Sequence, residues 1–229
     1  MNTIDGFDKF PSVKRWRNES FFDISIYQPL NNIAYYSDRE YVWPSGNEQA
    51  LAFVKKNSGK GSAGTFAEAA AFGEIIFNCT AGVGSIEALK MAGEKNLNGK
   101  IIVDVANPLD FPKGMPPSLA ISNTDSLGEA IQKAFPLAKV VKTLNTLWCG
   151  IMVNPNQLNG GDHSIFICGN DADSKETAKE ILKAFVWLEK NILDLGDITK
   201  SRGTEMYLPL WLSIYGATNN GAFNIKIVS

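Results

Sequence analysis

Three short segments place neutral hydrogen-bonding groups directly after apolar runs: Cys79-Thr80-Ala81-Gly82, Asn107-Pro108-Leu109-Asp110 and Asn145-Thr146. Each offers backbone N–H groups, a hydroxyl or a carboxamide without adding charge. Groups of that kind suit a ribose and the carboxamide of a nicotinamide ring. In open parallel sheets, ligands settle at the carboxyl ends of the strands. Gly82 and Gly84 would let backbone approach a ligand closely, and a helix starting at Ser85 would aim its N-terminus at the same place. Singly, each segment reads as an ordinary strand–helix connection or turn. Their recurrence after successive strands is what singles them out.

Other chemistry-bearing residues argue for less. His163, the one histidine, lies in a Gly-Asp loop and reads as a surface residue. Cys79 reads as a small buried hydrophobe, because nothing near it in sequence would lower a thiol pKa. Asp104 falls inside an apolar strand and suits a hydrogen-bonded structural role near the next loop at least as well as acid–base work. Arg202 and Glu205 flank Gly203-Thr204 and could pair with each other or cap the last helix, with a role in a site as the lesser alternative. One histidine allows no Ser/His/Asp constellation and no histidine-rich metal site. Three distant cysteines make neither a disulfide framework nor a zinc site. No G-x-x-x-x-G-K-[ST] phosphate loop is present.

The elements that must position these residues follow from the apolar pattern. Runs at residues 74–80, 100–105 and 139–144 read as buried strands, with further strands at 164–168 and 191–195. Helices are expected over 66–73 after Thr65, over 85–93, over 126–136 with Glu129 at capping-box spacing from Ser126, and over 174–185. A short helix is expected after Asn47, ending near Ser58. The stretch 109–118 reads as a proline-broken loop. This alternation predicts an α/β fold, a Rossmann-like doubly wound parallel sheet. Met206–Ala217 is apolar almost all round, so it should be buried, either on the sheet or in a second copy of the chain; a homodimer through Met206–Ala217 is the favoured reading. Residues 1–46 hold one weak strand, at 23–27, and no strand–turn–helix unit.

The 229 residues carry 22 basic and 24 acidic side chains, with 45% hydrophobic and 20% charged residues. That is ordinary globular composition. The near-neutral balance excludes a nucleic-acid footprint and a polybasic membrane face. No 18-residue apolar run exists, and the first residues lack the apolar core of a secretory signal. The expectation is a cytoplasmic protein acting on a small molecule, with no metal, membrane or nucleic-acid partner.

The segments GTFAEAAAFGEIIFNCTAG, GKIIVDVANPLDF, GMPPSL, NTDSLGEAIQKAFPLAKVVKTLNT, FICGND, DLGDI and RGTEMYLPLWL resemble one family. It is the NAD(P)-binding Rossmann oxidoreductases similar to 8-hydroxy-5-deazaflavin:NADPH oxidoreductase. The resemblance runs over residues 47–229. It implies NADP (NADPH) as cofactor and hydride transfer to a second partner: a deazaflavin in the archetype, a flavin, quinone or metal chelate in relatives. On the resemblance, Thr80, Ala81, Gly82, Asn107 and Pro108 would line the nicotinamide side, and Asn145 and Thr146 would border the second ring. No general acid or base is carried over.

The resemblance also defines a departure. Members of the family begin with a strand running into G-x-G-x-x-G, then a helix and a second strand ending in a Ser/Thr-Arg pair for the 2′-phosphate. Residues 1–46 hold only Gly6 and Gly46, so that loop is not there. Arg39 falls near the place of the 2′-phosphate arginine, but in an unrelated context. The chain therefore reads as an atypical segment, 1–46, replacing the first βαβ unit, followed by a Rossmann-like domain, 47–229. A frameshifted or misassigned start, a replacement that has lost dinucleotide binding, and a new way of completing the sheet are all open. The alternative to an oxidoreductase is a non-catalytic Rossmann remnant serving as a dimerising interaction module.

Overall fold

The computed structural model describes residues 33–36, 41–44, 55, 61–111 and 114–228. The strand expected at 23–27, and the helix expected after Asn47 apart from Lys55, lie outside the described residues.

In chain order the elements are β1 (Ile33–Tyr36), β2 (Tyr41–Pro44), β3 (Gly61–Gly64), α1 (Phe66–Phe72), β4 (Ile75–Asn78), α2 (Ser85–Ala92), α3 (Glu94–Leu97), β5 (Ile101–Asp104), β6 (Leu109–Asp110), β7 (Ser118–Leu119), α4 (Leu127–Ala134), β8 (Lys139–Thr143), α5 (Cys149–Met152), β9 (Ile165–Gly169), α6 (Ala172–Ala184), β10 (Ile192–Asp194), α7 (Ser201–Met206) and α8 (Leu208–Thr218). One sheet runs in the order β10-β9-β8-β5-β4-β1-β2-β3. Its centre, β4-β5-β8, is parallel. The architecture is the expected Rossmann-like α/β sheet flanked by helices.

Local chemistry sets the helix starts. Thr65 caps α1 in a reciprocal box: its Oγ1 accepts from the Glu68 amide, and the Glu68 carboxylate accepts from the Thr65 amide at 2.7 Å. Ser126 caps α4, accepting from the Glu129 amide at 3.2 Å. Asp171 caps α6, which places that helix start at Ala172, ahead of the expected 174. Each cap satisfies an amide that the first helical turn leaves unpaired.

The central strands are buried on both faces. Ile102 joins one core with Ile76, Leu89, Leu97, Ile131 and Val140, while its neighbour Val103 joins the other with Ile165, Leu182 and Trp187. A strand covered on both sides has no solvent face to alternate with, so its run is continuously apolar.

Three expectations are corrected. β9 pairs with β8 antiparallel, not parallel. The connection between them holds only the four-residue α5 and two 3-10 turns, with no long crossover helix to return the chain. The stretch 109–118 is not wholly a loop, because β6 and β7 pair as a two-stranded ribbon. His163 is 3% exposed rather than on the surface. Its Nε2 faces the Pro155 carbonyl at 3.1 Å, its Nδ1 accepts from Asn224 Nδ2 at 2.8 Å, and its ring meets Trp187 edge-on. The expectation for α8 is not settled within one chain: Leu208 is its only buried residue, and Leu210 is 57% exposed.

The β3 side of the sheet keeps the usual strand order but not the usual strand directions. In a doubly wound sheet, strands 2 and 1 lie between strands 3 and 4 and run parallel to both. Here β2 and β1 hold those places. β2 is parallel to β3, but β1 is antiparallel to both β2 and β4. Only residues 37–40, Ser-Asp-Arg-Glu, separate β1 from β2 in sequence.

Candidate active site

The carboxyl ends of β4, β5 and β8 lie side by side, and the turns that leave them form one rim. Gly82 is seated on the backbone of the β5 turn. A Cβ there would meet the Asn107 carbonyl oxygen at 2.1 Å and Pro108 Cα at 2.8 Å. Its small size therefore allows close contact between the two turns. Asn107 spans to the β8 turn. Its Nδ2 donates to the Asn145 carbonyl at 2.7 Å, and Asn145 Nδ2 donates to Asn107 Oδ1 at 3.0 Å. Gly82, Asn107, Pro108 and Asn145 are thus brought together. Ala81 adjoins Gly82, and Thr146 is buried beside Asn145.

Thr80 is tied to its own strand and to the start of α2. Its hydroxyl donates to Asn78 Oδ1 at 2.7 Å and meets Ser85 Oγ at 2.7 Å, all three residues being buried. Its backbone amide also donates to Asn78 Oδ1, at 3.3 Å, so both groups are committed inside the protein. Asn107 and Asn145 each use one N–H in their mutual pairing, and a carboxamide has two.

Beneath the rim runs a polar row that sequence reasoning did not assemble. Asn78, Asp104 and Lys142 are register partners across β4, β5 and β8. Asn78 Nδ2 donates to Asp104 Oδ1 at 2.8 Å. Lys142 Nζ donates to Asp104 Oδ2 at 2.8 Å, to Glu205 Oε1 at 2.9 Å and to the Ala106 carbonyl at 2.5 Å. Glu205 also accepts from the Leu127 and Gly128 amides, at 2.8 and 3.0 Å, and so caps α4. The Lys142, Asp104 and Glu205 side chains are at most 1% exposed. Burial pushes the Glu205 carboxyl up, against the pull of Lys142. Burial opposes the Lys142 charge, but Asp104 and Glu205 outweigh it and raise its pKa.

Arg202 and Glu205 therefore neither pair with each other nor cap the last helix. Arg202 instead forms a two-pronged ion pair with Glu129, Nε to Oε2 at 2.8 Å and NH2 to Oε1 at 2.5 Å. The signal for the buried row was a lysine inside the apolar run Val-Val-Lys-Thr-Leu, since a buried charge must be paired. Cys79 fits its reading as inert: burial and Asp104 push its thiol up to about 12. Among the described residues, no group of His, Cys, Asp and Glu could hold a metal ion, and no helix is long and apolar enough to cross a membrane.

A dinucleotide fits this geometry in part. The neutral rim at three adjacent strand ends matches the nicotinamide half of such a ligand. The pyrophosphate half needs a glycine-rich turn between the first strand and a helix. The linking residues 37–40 contain no glycine and are too few for a crossover.

No family model matches the chain. A provisionally assigned F420-dependent NADP reductase from Arthrobacter sp. FB24 is 49% identical, with a TM-score of 0.75, covering 78% of this chain and 79% of that one. A hypothetical protein from Sinorhizobium meliloti, 19% identical with a TM-score of 0.52, covers 67% of this chain and 70% of its own and shares the fold. The metalloreductase STEAP3 of Rattus norvegicus is 29% identical over 121 residues, 50% of this chain; the match spans 22% of that longer protein. With nearly half its residues identical over most of both chains, the chain belongs to the NAD(P)-binding Rossmann oxidoreductases similar to 8-hydroxy-5-deazaflavin:NADPH oxidoreductase, a family of NADP-dependent reductases.

Proposed function

We propose that the chain transfers a hydride between NADPH and a flavin-like, deazaflavin or other small acceptor at this rim. Thr80, Ala81, Gly82, Asn107 and Pro108 face the nicotinamide, and Asn145 and Thr146 border the acceptor ring. The observation that carries the reading is the Asn107–Asn145 pair, which ties the β5 turn to the β8 turn. Two rings stacked for hydride transfer need two adjoining surfaces held in fixed relation, because rate depends on near-attack geometry. NADPH supplies the hydride; the protein groups bind and orient. A metal chelate is a further acceptor to test, since the relative STEAP3 bears the name metalloreductase.

The working form is a homodimer through Met206–Ala217, supported by the exposure of Met206, Leu210 and Tyr215. A cytoplasmic location accords with three free cysteines.

The test is titration of NADPH into the full chain by fluorescence or calorimetry. NADPH oxidation with 8-hydroxy-5-deazaflavin, FMN or a ferric chelate follows. Saturable binding with turnover of one acceptor supports the proposal. Absence of binding at millimolar NADPH overturns it and favours a non-catalytic dimerising module, a second reading supported by the antiparallel β1 where a parallel first strand is expected.

A further inference from the structure

The buried row beneath the rim has a shape that stability alone does not require. Two carboxylates share one ammonium group out of contact with water, and buried ion clusters of this kind are often matched or exceeded in stability by apolar residues of the same volume. What the cluster does achieve is fixation of one turn. All three protons of the Lys142 ammonium have acceptors: Asp104, Glu205 and the Ala106 carbonyl. Asp104 Oδ1 also accepts from the Ala106 amide at 3.2 Å. Ala106 is therefore gripped at both its N–H and its C=O. It immediately precedes Asn107 and Pro108, which carry Gly82 on one side and reach Asn145 on the other. Through Asn78 the same cluster reaches Thr80. Glu205 is its one member from outside the three strands. It arrives on α7 and is itself held by the Leu127 and Gly128 amides at the start of α4.

We propose that Glu205 is a positioning residue for hydride transfer: by locking the Lys142 ammonium against Ala106, it sets the place of the Asn107–Pro108 turn and hence of the nicotinamide face. This inference rests on the rim being the nicotinamide site. Glu205 touches neither ring, so its contribution belongs to the geometry of the reacting complex rather than to affinity.

The experiment compares the full chain with Glu205→Gln, which keeps size and removes charge. The double variant Lys142→Met/Glu205→Gln also takes the ammonium away while leaving the net charge of the cluster unchanged. NADPH dissociation constant, kcat, and amide hydrogen exchange of the unliganded chain are measured for each. Positioning gives a kcat roughly 10- to 100-fold lower, with the NADPH dissociation constant changed less than about threefold. It also gives faster exchange at residues 106, 107 and 109 and at 80–84. If Glu205→Gln does not fold, the double variant must show the same split. A merely structural role gives faster exchange only at Leu127, Gly128 and along α7, with normal kcat per folded molecule, and overturns the proposal. If the wild-type chain binds no NADPH, the reading of the rim falls by itself. Hydrogen exchange at residues 106–109 then decides whether Glu205 holds the turn.

Discussion

Asn107 and Asn145 hold each other across two strand ends: each side-chain amide donates to the other residue, at 2.7 and 3.0 Å. The pair converts two independent turns into one surface. Asn145 is buried, so truncating its partner leaves a buried carbonyl and a buried amide without their bonds. Asn107→Ala and Asn145→Ala should each destabilise the fold by about 1–3 kcal/mol. Because both remove the same contact, the double variant should cost less than the sum, with a coupling of roughly 1 kcal/mol. Urea denaturation of the four proteins measures this. Additivity within about 0.5 kcal/mol would show that the bonds do not persist in solution.

Gly82→Ala tests the neighbouring contact. A methyl group there would lie 2.1 Å from a backbone oxygen and 2.8 Å from Pro108 Cα, and backbone cannot swing aside as a side chain can. The substitution should cost about 1–3 kcal/mol and lower NADPH turnover by displacing the β5 turn. Gly203→Ala is the matched control. Gly203 lies in α7 with open space where its Cβ would be. Alanine in a helix is favoured over glycine by about 0.8–1.0 kcal/mol. Thermal melts should therefore move in opposite directions for the two variants. A Gly82→Ala protein as stable as wild type would mean that the two turns are not in contact.

The strands and caps were legible because their causes are local. The run Ile101-Ile102-Val103 announces two-sided burial, and Ser126 with Glu129 announces a helix start within four residues. The strand-end turns could be picked out for the same reason. Lys142, Asp104 and Glu205 are far apart in sequence, and only the register of β5 against β8 shows that the first two are neighbours. His163 looked exposed because its loop is polar; its burial depends on Asn224, which the chain brings back 61 residues later. The antiparallel β9 turned on a missing crossover helix, which apolar periodicity marks only weakly. The exposure of α8 shows the limit of composition: an apolar helix must be covered, but sequence does not say by which surface.

Arg202 and Glu129 should make stability sensitive to acid. The Arg202 hydrogen bond holds the Glu129 carboxyl below the usual glutamate range, against a burial effect that would raise it. A carboxylate whose folded pKa is depressed contributes stability that is present above its unfolded pKa, about 4.3 for glutamate. That stability is lost as pH falls through the folded value. The melting temperature of wild type should therefore fall between about pH 5 and pH 3 more steeply than that of Glu129→Gln, which has no charge to lose. Parallel curves for the two proteins would show that the ion pair does not perturb Glu129.

The exposed face of α8 sets the last expectation. Met206, which ends α7, and Leu210 and Tyr215, on α8, are 38%, 57% and 40% exposed. Single exposed apolar residues are common on soluble proteins, but a helix whose exposed positions are mostly apolar suits an interaction surface. If a second copy covers this face, Leu210→Glu places a charge in an apolar interface and should weaken the dimer at least about tenfold, which corresponds to about 1.4 kcal/mol. The same change should alter monomer stability by no more than about 0.5 kcal/mol, because the position is exposed. Sedimentation equilibrium at micromolar chain reads both states. A wild-type chain that is monomeric there, or a Leu210→Glu chain that dimerises as tightly, would remove α8 from the interface and leave its apolar face to a different partner.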